Sequence, residues 1–163
     1  FILHIPPPIN GAAMVGQYIK ESIIIDDEFE ADFINLTASF NLKSIGKGGF
    51  GKIFTILKIL KNVIASLISK DYDLCYMTLT AKGAGFYKDF LIVLLLKIFR
   101  TNIVYHFHNK GVLKSSTKKL NDILYRFTLK TQRVLSFLPL FHMILRNMLI
   151  KVKFTFALMA FLL

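Results

Sequence analysis

The sequence contains one cysteine, no tryptophan and only 4 prolines among its 163 residues. A single cysteine excludes an internal disulfide, and because Cys75 stands in an apolar run it predicts a buried strand thiol in a reducing cytoplasm. Acidic residues are also scarce: 10 Asp and Glu oppose 21 Lys and Arg, for a formal charge of +11. That charge favours partners that carry phosphates, anionic lipid headgroups or nucleic acid.

Long hydrophobic runs are absent as well. The most apolar internal run, residues 90–99, is about half of the roughly 20 residues that cross a bilayer, and Lys97 interrupts it. We therefore expect a buried helix there. A hydrophobic content of 54% with 13% aromatic residues argues against disorder, so the chain has enough apolar surface for one proper core.

Hydrophobic patterns along the chain alternate between those of strands and those of helices. Strands are predicted at residues 1–5, 29–37, 74–80 and 102–108. Helices are predicted at 12–24, at 53–70 and around 90–99, while the acidic patch at 26–28 is interpreted as a connection. Four strands alternating with three helices predict an α/β fold, a Rossmann-like parallel sheet flanked by helices. The carboxyl edge of such a sheet is where a ligand is expected.

The turn at residues 6–13 joins the first strand to the first helix. Its small residues, Asn10, Gly11 and Ala12, would let an anion or a sugar hydroxyl approach backbone N–H groups at the positive end of the helix. An equally good interpretation is that Gly11 and the three prolines only shape a tight turn.

A second glycine-rich segment, residues 46–52, resembles the lysine-rich phosphate loop of some ATPases. Ile53 follows it where such a loop needs Ser or Thr for magnesium, and no convincing buried strand precedes it. We therefore favour a mobile basic loop over nucleotide hydrolysis.

His106 and His108 stand at the carboxyl end of the fourth strand. We interpret their alternation as placing them on opposite faces of the sheet, so that one reaches the crevice while the other packs in the core. A metal site is not expected, because a His-x-His pair needs further ligands and no second His or Cys cluster supplies them. No Ser-His-Asp set or carboxylate pair can be assembled from sequence order.

Three separated segments resemble the bacterial family 4 glycosyltransferases, which have the GT-B fold. They are the proline-rich turn within residues 3–13, the pair 76–80 and 85–89, and the histidine-bearing segment 105–111, where Asn109 replaces a frequent glycine. The resemblance covers residues 1–135, which it implies to be the N-terminal, acceptor-side domain of such an enzyme.

The resemblance implies a transferase that moves a sugar from a nucleotide-sugar donor to a saccharide or lipid-linked acceptor, without metal or other cofactor. His108 would be the catalytic residue, bonded to the transferred sugar, and Asn10, Gly11 and Ala12 would bind the donor phosphate. His106, Asn109 and Lys110 would bind the acceptor. The expected location is cytoplasmic, peripheral to the inner face of the membrane, with no nucleic-acid partner.

Residues 136–163 depart from the family. After Asp122 no acidic residue remains, an odd composition for a soluble domain. The family's next segments, read one base later, give Met143–Met148 and Phe156–Leu162, so we interpret this hydrophobic tail as translated out of frame. The alternative interpretation is that residues 134–163 form a membrane-associated tail. Without a donor-binding half, no sugar transfer is expected from this chain alone, and the alternative function is that of a small basic binding protein of the membrane surface.

Overall fold

The computed structural model describes residues 1–38, 50–108 and 111–130, and the backbone of one further strand at 133–136. Eleven elements follow one another along these ranges. They are β1 (Ile2–Leu3), α1 (Gly11–Lys20), α2 (Ile23–Glu28), β2 (Ile34–Asn35), α3 (Phe50–Ser69), β3 (Cys75–Leu79), α4 (Ala84–Ile98), β4 (Ile103–Phe107), α5 (Val112–Ser115), α6 (Lys119–Leu129) and β5 (Arg133–Ser136).

The strands form one parallel sheet in the order β2-β1-β3-β4-β5. This order confirms the predicted α/β class and the Rossmann-like parallel sheet flanked by helices. The sheet has one strand more than the four that the sequence predicts, because β5 pairs with β4 at its outer side. From β1 the chain goes to β2 on one side of the sheet, and from β3 it goes to β4 on the other side. The topological switch point of the fold therefore lies between β1 and β3.

One face of the sheet carries most of the apolar core. Side chains of β1, β3 and β4 pack there against α3 and α4, and the buried residues they contribute are Ile2, Cys75, Met77, Leu79, Ile103, Tyr105 and Phe107. Helix α1 crosses close to β1, and a Cβ on Gly16 would lie 2.0 Å from the carbonyl oxygen of His4. The absence of a side chain at Gly16 therefore sets how closely α1 approaches the sheet.

Strands β1 and β2 are shorter than predicted, and the polar side chains beside them explain why. Where β1 runs out, Thr37 Oγ1 donates to Ile5 O at 3.0 Å, and Ile5 N donates to Asn35 Oδ1 at 3.2 Å. Side chains thus take over the bonds that a longer backbone ladder would make. The prolines that follow have no N–H with which to continue it.

The acidic patch at 26–28 was interpreted as a connection, and that prediction is wrong, because these residues belong to α2. Ser22 O accepts from the N–H groups of Ile25 and Asp26, and Asp26 lies in the first helical turn, where a negative charge is favourable. In place of the single helix predicted at 12–24, the structure has α1 followed by the beginning of α2.

The apolar run at 90–99 lies almost wholly in α4, as predicted, with Ile92, Val93 and Leu96 buried against the sheet. Among the described residues, none of the helices is long and apolar enough to span a membrane. Cys75 is a buried free thiol, also as predicted, and burial raises its pKa to about 11.

Candidate functional site at the carboxyl edge of the sheet

The switch point lies between β1 and β3, and the chain leaves these two strands in different directions. From β1 it enters the proline-rich turn and α1, and from β3 it enters a turn at Gly83 and α4. Both helices begin without an acidic residue in their first turn. The switch point is thus flanked by two helix N-termini, which favour negative or polar ligands.

The proline-rich turn places its three predicted ligand residues at the start of α1. Asn10 is the N-cap: its side-chain oxygen accepts from Ala13 N at 3.0 Å, and its amide nitrogen donates to Pro8 O at 3.4 Å. Gly11 is exposed, and a Cβ there would meet no atom within 4 Å. Asn10 therefore fixes the turn, while the open space at Gly11 leaves its backbone accessible, and Ala12 is half-buried beside it.

A buried ion pair ties the ends of β2 and β3 to α4. Lys88 Nζ lies 3.2 Å from Asp89 Oδ1, with side chains only 9% and 0% exposed. Lys88 also donates to Leu36 O at 2.7 Å, just past β2, and Asp89 Oδ2 accepts from Thr80 N at 2.8 Å, just past β3. One pair of adjacent charged residues on α4 therefore holds the ends of two strands in place.

His4, directly after β1, faces that ion pair. The pKa of His4 is lowered to about 4, chiefly by burial and next by the positive charge of Lys88, while Asp89 opposes the shift and His108 adds to it. His4 is therefore a neutral imidazole at neutral pH. Its coupling to both Lys88 and His108 shows that the ends of β1 and β4 belong to one electrostatic neighbourhood.

His106 and His108 lie on the same face of the sheet, so the prediction that they occupy opposite faces is wrong. Their ring centroids are 4.1 Å apart. The physical reason is that strand side chains alternate with a period of two, so residues two apart share a face. His106 Nδ1 is also hydrogen-bonded to the Tyr76 hydroxyl of the neighbouring strand β3.

Burial also keeps these two rings neutral. It lowers the pKa of His106 to about 3, with a smaller effect from His108, and lowers the pKa of His108 as well. His106 is buried and His108 half-buried, so His108 is the ring nearer to solvent. A neutral imidazole can donate one hydrogen bond and accept another, the pattern that suits a sugar hydroxyl. The Nε2 atom of His108 is itself buried from solvent.

The remaining predicted positions divide between described and undescribed parts of the chain. Asn109 and Lys110 lie outside the described residues, as do most of the glycine-rich segment 46–52 and the tail at 137–163. The last residues of that segment, Gly51 and Lys52, are in the first turn of α3. Within the described ranges, no three His, Cys, Asp or Glu side chains lie together as a metal site would require.

Sequence reasoning missed His4, Lys88 and Asp89 as parts of this site. His4 and the Lys88–Asp89 pair both stand in segments that carry the family resemblance, but no role was assigned to them. A signal was present: two adjacent charges early in a helix whose following residues are apolar indicate a buried, paired arrangement.

Comparison with known proteins gives no match for this chain among protein-family models, curated proteins or solved structures.

Proposed function

We propose that this chain supplies the acceptor-side, Rossmann-like half of a GT-B glycosyltransferase of the family 4 type. In this proposal the groove at the carboxyl edge receives the sugar and phosphate of a nucleotide-sugar donor together with a saccharide or lipid-linked acceptor. The protein works on the cytoplasmic side of a membrane and needs a second, donor-binding domain for turnover.

The observation that carries the proposal is the convergence of the turn at Gly11 and of His108 on one edge of the sheet. Strands β1 and β4 are separated only by β3, so their ends stand about 10 Å apart at the usual strand spacing. A hexose and its phosphate are of that size. Open parallel sheets bind ligands in this position because the loops on either side of the switch point diverge and leave a crevice.

Each group has a chemical role that its surroundings support. Backbone N–H groups at the start of α1 would bind the donor phosphate as negative charge develops on the leaving nucleotide. The neutral imidazole of His108 would hydrogen-bond the transferred sugar, and His106 would hold the ring of His108 in place by packing against it. Lys88 and Asp89 position the groove, since they contact strand ends rather than open solvent.

The test is a binding experiment on the chain labelled with ¹⁵N at backbone amides and histidines, followed by NMR. UDP-glucose and GDP-mannose at millimolar concentration are the probes. We expect chemical-shift changes at the Gly11 and Ala12 amides and at the His108 ring, without sugar transfer. His108→Gln should weaken binding about tenfold, which corresponds to one hydrogen bond to a charged or polar ligand.

The chain offers a matched control for the turn. Gly11 and Gly51 both have open space where a Cβ would stand, but only Gly11 belongs to the turn that the proposal assigns to the ligand. Gly11→Leu should therefore block binding, and Gly51→Leu should leave it unchanged. If both variants retain binding, the assignment of the ligand to this turn is wrong. If no nucleotide sugar binds at all, the proposed function is wrong.

A further inference from the structure

A row of aromatic rings crosses one face of the sheet. Phe33, immediately before β2, stacks on Phe1 beside β1 with ring centroids 5.1 Å apart, and Phe1 lies 5.7 Å from Tyr76 of β3. Tyr76 meets His106 of β4 edge-on at 5.8 Å, and His106 lies 4.1 Å from His108. The row therefore crosses four neighbouring strands and ends at the ring that the proposed function assigns to the sugar.

This row lies on the face of the sheet opposite to the α3 and α4 core. Met77 of β3 and Tyr105 of β4 belong to that core. Because side chains alternate along a strand, their neighbours Tyr76 and His106 point to the other face. The polar atoms of the row are thus separate from the packing that stabilises the sheet. A change of one such atom should therefore leave the core intact.

The proton of the Tyr76 hydroxyl has a defined acceptor. The hydroxyl is hydrogen-bonded to Nδ1 of His106, which is the one acceptor that it meets among the described residues. Burial raises the pKa of Tyr76 above its ordinary value of 10.0, so the hydroxyl keeps its proton at neutral pH. Since Nδ1 of the neutral His106 ring accepts this bond, the proton of that ring lies on Nε2.

His106 passes this constraint on to His108. The two rings lie against each other with their planes inclined by 35°, so each restricts the rotation of the other. A ring that is held in one orientation presents the same hydrogen-bonding atoms to every ligand. Such preorganisation removes part of the ordering cost of binding.

We infer that Tyr76 is a positioning residue, whose hydroxyl fixes His106 in the Nε2–H tautomer and thereby holds the ring of His108 for its ligand. The inference rests on the proposed function, because that function makes His108 the contact to the transferred sugar. A purely structural role would be to pack against Phe1, for which phenylalanine would serve equally well. The hydroxyl is therefore the atom that separates the two roles.

NMR of the ring nitrogens tests the first step without any ligand. With ¹⁵N-labelled histidine, the spectrum distinguishes protonated from unprotonated ring nitrogens, and His106→Gln and His108→Gln assign these two rings among the 4 histidines of the chain. We expect a single tautomer at His106, with its proton on Nε2. Tyr76→Phe keeps the aromatic ring and removes only the hydroxyl. It should convert the His106 signal to that of mixed tautomers and shift the ring signals of His108.

Titration with UDP-glucose and GDP-mannose tests the second step. Tyr76→Phe should weaken binding about fivefold, the factor that corresponds to one neutral hydrogen bond. The same change should have no further effect when His106→Leu is already present, because its action passes through His106. A loss of affinity that came from general loosening of the fold would instead persist in that background.

Tyr87→Phe is the matched control. The Tyr87 hydroxyl donates to Asn121 Oδ1 at 2.7 Å, so this variant loses one hydroxyl hydrogen bond between α4 and α6, away from the histidine pair. It should leave both the ring spectra and nucleotide-sugar binding unchanged. Circular dichroism verifies that every variant is folded.

The inference is wrong if Tyr76→Phe leaves the His106 tautomer and the affinity unchanged while the unaltered chain binds a nucleotide sugar. It is also wrong if Tyr87→Phe has the same effects as Tyr76→Phe, or if Tyr76→Phe weakens binding as much in the His106→Leu background. Failure of the proposed function has a different signature, since neither probe would then bind the unaltered chain. In that case the positioning role for the sugar fails with it, whatever the ligand-free spectra show.

Discussion

The two edges of the sheet each hold a lysine–carboxylate cluster, but in opposite surroundings. At the amino edge, Lys70 Nζ lies 3.0 Å from Asp32 and 3.1 Å from Glu30, and the three side chains are 47%, 45% and 89% exposed. At the carboxyl edge, Lys88 and Asp89 are 3.2 Å apart and almost fully buried. The same pair of chemical groups is therefore solvated at one edge and desolvated at the other.

The difference teaches where this fold depends on electrostatics. An exposed ion pair contributes little because water screens it and the long side chains lose freedom. A buried pair is costly to break, since removing one partner leaves the other charge uncompensated. The carboxyl edge, which carries the candidate site, should therefore be the edge whose geometry a single substitution can destroy.

The largest expected effect is that of Asp89→Ala. It leaves Lys88 buried without its partner and Thr80 N without its acceptor, so the free energy of unfolding should fall by about 3–5 kcal/mol. Urea denaturation measures it. The double variant Lys88→Met with Asp89→Leu should recover much of that loss, because it removes both charges, and a double variant no more stable than Asp89→Ala would contradict the explanation.

Gly16→Ala should come next. Its Cβ would stand 2.0 Å from the carbonyl oxygen of His4, a backbone atom that cannot move without shifting β1 or α1, so we expect a loss of about 1–3 kcal/mol. Gly11→Ala is the matched control, since open space surrounds it and alanine favours a helix. Thermal unfolding of both variants tests this, and equal melting temperatures would show that α1 does not pack as described.

The titratable groups of the two edges should also affect stability in different pH ranges. His4 and His106 have folded pKa values of about 4 and about 3, below their ordinary 6.5. Between the folded and the ordinary pKa of each histidine, the unfolded chain therefore binds more protons than the folded chain. Stability should therefore fall as pH drops from about 6.5 towards 4. The pKa of Asp32 is lowered by its bonds to Tyr72 and Lys70, so its contribution is lost only as pH falls below its ordinary 3.8.

Melting temperatures between pH 7 and pH 4.5 measure this difference. His4→Gln or His106→Gln should flatten the decline, and Asp32→Asn should leave its slope in this range unchanged. A slope that neither histidine variant alters would show that other groups control the acid sensitivity.

Lys70→Met should have the smallest effect. It removes the exposed pairs with Asp32 and Glu30 but leaves the hydrogen bond from Tyr72 to Asp32, 2.7 Å long, in place. We expect the free energy of unfolding to stay within the error of urea denaturation, because water screens an exposed ion pair. A loss as large as that of Asp89→Ala would erase the contrast between the edges.

Much of the fold could be predicted from residue patterns. The strand at 74–80 and the helix around 90–99 are close to β3 and α4, because buried strands and helices have strong hydrophobic periodicity. The lengths of β1 and β2 could not be predicted, because they depend on the side chains of Asn35 and Thr37, which form hydrogen bonds with Ile5 from a separate part of the chain.

The position of the candidate site residues in the fold was predicted in part. The turn at Asn10 and Gly11 and the two histidines do lie at the carboxyl edge of the sheet, as the order of strands and helices indicated. The placement of the histidines on opposite faces was an error of periodicity that the sequence itself could have corrected. The role of Lys88 was out of reach, because its partner Leu36 O is 52 residues away along the chain.

Sequence alone determined the α/β class, the buried thiol of Cys75 and the excess of positive charge, because local periodicity and composition are sufficient for each. Only the tertiary structure decided that two adjacent charges on α4 would hold two strand ends, and that the Tyr76 hydroxyl would meet His106 of the neighbouring strand. Both depend on contacts between residues distant in the chain. Long-range hydrogen bonds, which no local pattern encodes, are the physical reason.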